Sequence, residues 1–260
     1  MKRAALCVAM VLLVACSSQK SAGPPEAVPT TQPPKASALD RAKIHTELGV
    51  SYFDSGKLGV ALEELNTAIA ADKNYAPAYN ALGLVYMELK EDDKAENNFR
   101  QAIRLDPSSS EAKNNYGMFL CQRDREKEGI RELLEALKNP LYPTPDVAYK
   151  NAGLCARKAG DIAAAERYFT QALKLNPKQP QAAYSLAEIN YARDDYTAAK
   201  GYITRYLAAT DAPGPEALWL AARIERKLGD RTALANYGMK LRRLYPSSPE
   251  TKAFLEGRFE

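Results

Sequence analysis

The 260-residue chain contains a single histidine, His45, and has no long basic run. One histidine excludes most serine–histidine–aspartate triads and every metal site built on several histidines. We expect His45 itself to lie on the surface, near the start of the first helix. Clusters of five or six Lys and Arg, which are typical of nucleic-acid-binding tails, are also missing. The composition therefore argues against nucleic acid as a partner.

The other patterns associated with catalysis are incomplete. Gly56-Lys57 matches the end of a phosphate-binding loop, but Gly49 stands at the wrong distance before it. The acidic run at residues 91–93 is predicted to form a solvated turn rather than a carboxylate pair for acid–base catalysis. We therefore predict that the chain is not an enzyme, takes no small-molecule substrate and needs no metal or cofactor.

The N-terminal apolar run, residues 4–15, is too short to cross a membrane, which takes about 20 residues. It follows Lys2 and Arg3 and ends in small residues, which is typical of a secretory signal. Residues 13–16 (Leu-Val-Ala-Cys) resemble the bacterial lipobox. This resemblance implies a signal peptide over residues 1–15 and a covalent lipid on Cys16. Because Ser follows the Cys where Asp would favour the inner membrane, it also implies the outer membrane.

Residues 16–38 are rich in Pro, Ser, Ala and Thr and hold no run of large apolar side chains. Such a segment cannot bury enough surface to fold, so it is predicted to be a flexible tether. The remaining domain, residues 39–260, is then held at the membrane by the lipid and faces the periplasm. Loss of residues 1–15 leaves 34 basic against 32 acidic residues, which again does not favour a polyanion.

A small residue returns about every 34 residues in this domain. The residues at this repeating position are Gly49, Gly83, Gly117, Gly153, Ala187 and Ala222, which are 34, 34, 36, 34 and 35 residues apart. A period in this range indicates stacked copies of one supersecondary unit rather than a single mixed core.

The unit is clearest between residues 76 and 109. Two apolar stripes with helical spacing lie on either side of residues 90–92, and Pro107 ends the second one. The stripes consist of Tyr79, Leu82, Gly83 and Tyr86, and of Ala95, Phe99 and Ala102. We expect Gly83 and Ala95 to be small because the two helices approach closely there, with Phe99 filling the space beside them. In the first unit the corresponding apolar residues include Leu48 and Leu65.

These residues resemble the tetratricopeptide repeat. The resemblance implies an all-α fold, a right-handed α-solenoid of about six antiparallel helix pairs. The predicted units lie near residues 42–75, 76–109, 110–145, 146–179, 180–214 and 215–248. Three prolines within residues 139–145 predict a rigid, irregular joint. In the final unit Leu234 stands where a small residue is usual and Gly238 stands where a bulky one is usual, so we expect this unit to be a looser end cap.

Two cysteines, Cys121 and Cys155, remain in the repeats. They occupy the twelfth and tenth positions of consecutive units, and two positions rotate a helix by about 200°. Neighbouring helices about 8–10 Å apart can therefore bring the two sulfurs within reach. Because secretion implies an oxidising compartment, we predict a disulfide. The alternative is a pair of buried free thiols.

In the tetratricopeptide repeat the first helix of each unit lines the concave side. Projecting those positions onto this chain predicts a partner-binding groove of Asn80, Leu84, Met87, Asn114, Met118, Gln122, Lys150, Leu154, Arg157 and Tyr184. Amide side chains such as Asn80 and Asn114 can bond an extended peptide, and the methionines offer an adaptable apolar floor. The alternative is that several of these residues only pack between repeats.

Three stretches extend the resemblance to one lipoprotein family. They are residues 80–83 (Asn-Ala-Leu-Gly), 114–121 (Asn-Asn-Tyr-Gly-Met-Phe-Leu-Cys) and 149–155 (Tyr-Lys-Asn-Ala-Gly-Leu-Cys). With the lipobox and tether, they resemble the PilF/PilW lipoproteins of type IV pilus biogenesis, in which the two cysteines stand at the same places. The resemblance implies a monomeric pilotin that promotes localisation and multimerisation of the pilus secretin, and hence pilus assembly and twitching motility. The alternatives are an outer-membrane β-barrel assembly lipoprotein and a periplasmic activator of cell-wall enzymes.

Overall fold

The computed structural model describes residues 37–259. The predicted signal peptide, Cys16 and nearly all of the predicted tether lie outside the described residues. The first helix begins at Ala38, one residue before the predicted domain boundary. Ser37 caps it, because its hydroxyl accepts from the Asp40 backbone N–H at 3.0 Å while the Asp40 side chain accepts from Ser37 in return.

The described residues form thirteen α-helices and no strand. The helices are α1 (Ala38–Asp54), α2 (Leu58–Ala71), α3 (Ala76–Glu88), α4 (Asp92–Leu105), α5 (Ser110–Gln122), α6 (Glu126–Ala136), α7 (Pro145–Lys158), α8 (Ile162–Leu175), α9 (Pro180–Ala192), α10 (Tyr196–Ala208), α11 (Pro215–Leu228), α12 (Arg231–Leu244) and α13 (Pro249–Leu255). Consecutive helices pack in pairs, α1 with α2 through α11 with α12. This arrangement confirms the predicted all-α solenoid of six helix pairs, to which α13 is added.

The turn within each pair is only two or three residues long and contains one residue with positive φ. In α1–α2 this residue is Gly56, with φ of 72°, and in α3–α4 it is Lys90, with φ of 60°. A left-handed residue reverses the chain in the least space, and glycine adopts this conformation without strain. Gly56 therefore serves the turn, which accounts for the Gly56-Lys57 pair without a phosphate site.

The small residues of the period lie where the two helices of a pair meet. A Cβ on Gly83 would stand 2.6 Å from the ring of Phe99, which is fully buried. A Cβ on Gly117 would stand 2.8 Å from the backbone oxygen of Gly129. The close approach predicted around Gly83 and Phe99 is thus present in the structure.

The first helices of successive units contact one another, from α1 with α3 to α11 with α13. Within residues 37–259, the second helices of successive units make no such contacts. The row of first helices is therefore the tighter, inner side of the solenoid, and the row of second helices is the outer side.

Three local expectations are corrected. His45 lies in the middle of α1 and is half-buried, with Nδ1 2.7 Å from a carboxylate oxygen of Glu64 on α2. Leu48 remains 42% exposed instead of buried, because no described helix precedes α1. The final pair is not loose at Gly238, because the ring of Phe254 on α13 occupies the space that a Cβ there would need.

Candidate functional site

The inner side of the solenoid carries all ten residues of the predicted groove, but the structure divides them into separate environments. Two are buried, Gln122 is exposed, and the remainder are half-buried. Their partners decide which of them are available to another protein.

Asn80 and Asn114 are only 6% exposed and take part in a chain of amide hydrogen bonds. Asn115 Nδ2 donates to Asn80 Oδ1 at 3.2 Å, and Asn114 Nδ2 donates to Asn115 Oδ1 at 3.2 Å. Asn151 Nδ2 then donates to Asn114 Oδ1 at 3.0 Å. These amides bond to each other and join the second, third and fourth units, which favours the alternative that they pack between repeats.

A pocket of about 360 Å³ opens between the third and fourth units. Its walls include three predicted groove residues, Met118, Gln122 and Leu154. Asn151 and Lys158 complete the lining, together with the two cysteines of the repeats. The thioether and leucine side chains make the pocket apolar, and the amide and ammonium groups supply polar contacts at its side, as in many ligand-binding pockets.

Cys121 and Cys155 form a disulfide in the structure, with their Cα atoms 5.5 Å apart. The bond joins α5 to α7, the two inner helices that border the pocket. Lys158 adds a second link, because its ammonium group donates to the Cys121 carbonyl at 2.6 Å and lies 2.7 Å from Asp124. The pocket therefore has a covalently fixed wall.

Leu84, Met87 and Lys150 have different surroundings. Leu84 and Met87 pack against the cluster that contains Phe99 and Phe119, so they serve the core between the second and third units. Lys150 is half-buried, and burial lowers its pKa although Asp146, one turn earlier, opposes this shift. The surroundings of Lys150 therefore disfavour its charged form.

Arg157 and Tyr184 belong to a polar cluster between the fourth and fifth units. Arg157 Nη1 donates to Glu188 Oε2 at 2.6 Å. Burial and the nearby Glu188 carboxylate raise the pKa of Tyr184, and its ring lies 5.3 Å from that of Tyr206. These side chains already satisfy one another, so they link units rather than offer open binding groups.

An apolar face that the repeat pattern did not predict lies at the start of the solenoid, and we call it the α1 face. It consists of Ile44 and Leu48, which lie one turn apart on α1 and are 52% and 42% exposed. In the five following units, the positions of Ile44 and Leu48 are buried against the preceding unit. Those buried residues are Ala78, Leu82, Ala112, Tyr116, Ala148, Ala152, Ala182, Leu186, Ala217 and Ala221.

The α1 face therefore has the apolar character of an inter-repeat surface without a covering helix among the described residues. Contiguous exposed apolar side chains of this kind mark interaction surfaces. A signal was present in the sequence, because alanine holds the Ile44 position in every later unit. A large branched side chain there indicates a different neighbour.

Two absences within residues 37–259 bear on function. These residues contain no group of three or more His, Cys, Asp and Glu side chains placed to hold a metal ion. Across the same range, none of the helices combines the length and the hydropathy needed to span a membrane.

Comparison with known proteins agrees with this architecture. Models of the tetratricopeptide repeat match residues 93–144, 151–214 and 76–109, and a further repeat model of the same type matches residues 49–90. The type IV pilus assembly protein PilF of Pseudomonas aeruginosa is 32% identical over 210 residues, which cover 81% of this chain and 83% of PilF.

Two solved structures extend the similarity to the fold. The structure of Pseudomonas aeruginosa PilF matches with a TM-score of 0.78 and 30% identity, over 85% of this chain and 99% of that one. The crystal structure of PilW, described as a widely conserved type IV pilus biogenesis factor, matches with a TM-score of 0.73 and 32% identity. That match covers 82% of this chain and 98% of PilW. The chain therefore belongs to the PilF/PilW family of tetratricopeptide-repeat proteins, which act in type IV pilus biogenesis through protein–protein binding.

Proposed function

We propose that this protein is a pilotin, an outer-membrane lipoprotein anchored through Cys16 that promotes localisation and multimerisation of the type IV pilus secretin. It acts by binding, without catalysis or a cofactor, and it supports pilus assembly and twitching motility. Membership of the PilF/PilW family supports the pilus assignment, and the lipobox at residues 13–16 supports the anchor.

The observation that carries the binding role is the α1 face. Ile44 is the largest side chain at its position in the repeat. Ile44 and Leu48 are both more than 40% exposed, at positions that later units bury almost completely. Burying a leucine or isoleucine side chain is worth about 1.5–3 kcal/mol, so two such anchors can hold one apolar helix face of a partner. The pocket of about 360 Å³ between the third and fourth units is a second candidate surface.

The proposal is tested by the state of the secretin in a strain that lacks this protein. Membranes are separated into inner and outer fractions, and the secretin is followed by gel electrophoresis without heating. We expect the large oligomer to be lost, or the secretin to remain as monomer in the inner membrane, and the native gene to restore it. A normal secretin oligomer in the outer membrane would reject the pilotin role, as would a general growth defect typical of failed barrel assembly.

Surface variants then test where the partner binds. The double variant Ile44→Asp and Leu48→Asp should fail to restore the oligomer although it keeps its helical circular dichroism, because both side chains are already partly in water. Leu175→Asp on the outer side is the matched control, since Leu175 is also 52% exposed. Filling the pocket with Gln122→Trp separates the two surfaces. Failure of that variant alone would move the binding site from the α1 face to the pocket.

A further inference from the structure

The chain's only tryptophan, Trp219, lies on the inner side of the last helix pair. It continues a row of inner residues, each 34 to 36 positions after the one before, formed by Asn80, Asn114, Lys150 and Tyr184. Arg226 stands seven residues further along α11, two helical turns away, and so shares the same face. We call the space between these two side chains the Trp219–Arg226 slot.

The slot is occupied by the chain's own tail. The Phe259 ring lies 4.9 Å from the ring of Trp219, and the Arg226 guanidinium carbon stands 4.1 Å from the Phe259 centroid. The Phe254 ring makes an edge contact with the Phe259 ring, with 5.7 Å between the two centroids. The Trp219 and Phe259 rings are tilted by 33°. A close ring contact with an indole and a cation over the ring face are the two interactions that favour an aromatic side chain over an aliphatic one.

The tail reaches the slot by a sharp reversal after α13. Gly257 has φ of 69°, its N–H donates to the Phe254 carbonyl at 3.2 Å, and the Arg258 N–H donates to the Ala253 carbonyl at 2.9 Å. Beyond this cap the tail has no helical hydrogen bonds, and Arg258 is exposed. Of the described residues beyond α13, Phe259 is the one whose side chain the slot holds. A segment with so few contacts opens easily.

We propose that the Trp219–Arg226 slot is a binding site for an aromatic side chain on an extended protein segment, and that Phe259 is an intramolecular occupant which such a segment displaces. The tail shows the chemistry of the ligand: an aromatic ring between an indole and a guanidinium, carried by a chain without regular structure. The site lies at the opposite end of the repeats from the α1 face, so this proposal does not depend on the pilotin role.

Trp219 fluorescence reports directly on the slot because no other tryptophan is present. The full chain with Phe259→Ala should show red-shifted emission and stronger acrylamide quenching than the native chain. The probe is the peptide acetyl-Gly-Arg-Phe-Glu-amide, which copies residues 257–260. It should reverse both changes saturably in the variant, whereas acetyl-Gly-Arg-Ala-Glu-amide should not.

The native chain should need at least about tenfold more of the probe, because a tail that is closed nine-tenths of the time leaves only a tenth of the slots free. Leu255→Ala is the matched control, since Leu255 is 62% exposed and should leave the emission unchanged. Should Phe259→Ala fail to fold, Phe259→Leu keeps an apolar side chain and should still bind the probe more tightly than the native chain. Equal affinity in native and variant chains, or no saturable response to the phenylalanine peptide, would overturn the proposal and make the tail a permanent cap.

Discussion

Gly117 lies on α5 against the backbone of α6, whereas Gly201 lies on α10 with open space around it. A Cβ on Gly117 would stand 2.8 Å from the Gly129 backbone oxygen, 2.8 Å from Leu133 Cγ and 3.1 Å from the Leu133 nitrogen. A Cβ on Gly201 would meet no atom within 4 Å. The same substitution by alanine should therefore have opposite effects at the two positions.

Within a helix, alanine is favoured over glycine by about 0.8–1 kcal/mol. Gly201→Ala should gain about this amount, because its new methyl group stays in solvent. At Gly117 the same gain is opposed by overpacking, which costs about 1–3 kcal/mol where side chains can adjust. Two of the three atoms met at Gly117 belong to the backbone of α6, so the helices themselves must separate and the cost lies at or above the upper end. We expect a net loss of about 2 kcal/mol.

The assay is urea unfolding followed by circular dichroism for the native chain and both variants. A change of 1 kcal/mol shifts the melting temperature of a chain of this size by about 2–4 °C, so melting curves give an independent check. Gly117→Ala should melt about 4–8 °C below the native chain and Gly201→Ala about 2–4 °C above it. Equal stability of Gly117→Ala and the native chain would refute the role of close helix approach in the 34-residue period.

Three other predictions concern links between units. Reducing the disulfide should lower the free energy of unfolding by at most about 4 kcal/mol, because it joins residues 34 apart. An unchanged urea midpoint after reduction would contradict this prediction, and so would two free thiols in the unfolded, unreduced mature chain. Asn114→Ala should cost about 1–3 kcal/mol, because it leaves the buried Asn151 amide without its acceptor, and an unchanged midpoint would refute the amide chain. Burial raises the pKa of Glu96, but hydrogen bonds from Tyr116 and Arg125 outweigh this and leave the pKa below its ordinary value. The Glu96 carboxylate therefore contributes to the free energy of unfolding above about pH 4.3, and this contribution is lost as the pH falls through the lower pKa of the folded state. The difference in urea midpoint between the native chain and Glu96→Gln should accordingly shrink from pH 7 to pH 3.

The helix pairs could be predicted from the sequence because their determinants are local. Spacing of three or four fixes the buried face of each helix, and a small residue every 34 positions marks where the pair meets. The partner of Gly83 is Phe99, 16 residues later in the same unit, so a single repeat holds the whole contact.

The ends of the solenoid could not be predicted in the same way, because there identical residue types have different neighbours. Leu48 and Leu82 occupy the same position in consecutive units, yet one is 42% and the other 3% exposed. At Gly238 the missing bulk comes from Phe254, on a helix beyond the last full repeat. A periodic pattern describes the interior of an array, whereas exposure at its ends depends on what precedes or follows it.

The groove was only partly predictable because one side chain can serve two partners. An inward-facing asparagine is suited both to a bound peptide and to the asparagine of the next unit. In this chain the neighbouring Asn115 and Asn151 are close enough to take up the hydrogen-bonding capacity of Asn114. Position in the repeat shows that a residue faces inward, and only the adjacent residues show whether it remains available.

The apolar surface is covered at the C-terminal end of the solenoid and exposed at the N-terminal end. This difference bears on how a tethered protein would act. At the C-terminal end, α13 covers α12 and Phe259 covers Trp219, so that surface is already in use. At the N-terminal end, Ile44 and Leu48 remain open on a helix that follows the predicted tether directly in sequence. Terminal repeats normally carry a polar outer face for solubility, so an open apolar one is retained at a cost. A partner that covers the α1 face would be captured at the end of the solenoid nearest in sequence to the proposed lipid anchor. The proposed pilotin role requires a secretin subunit to be held there.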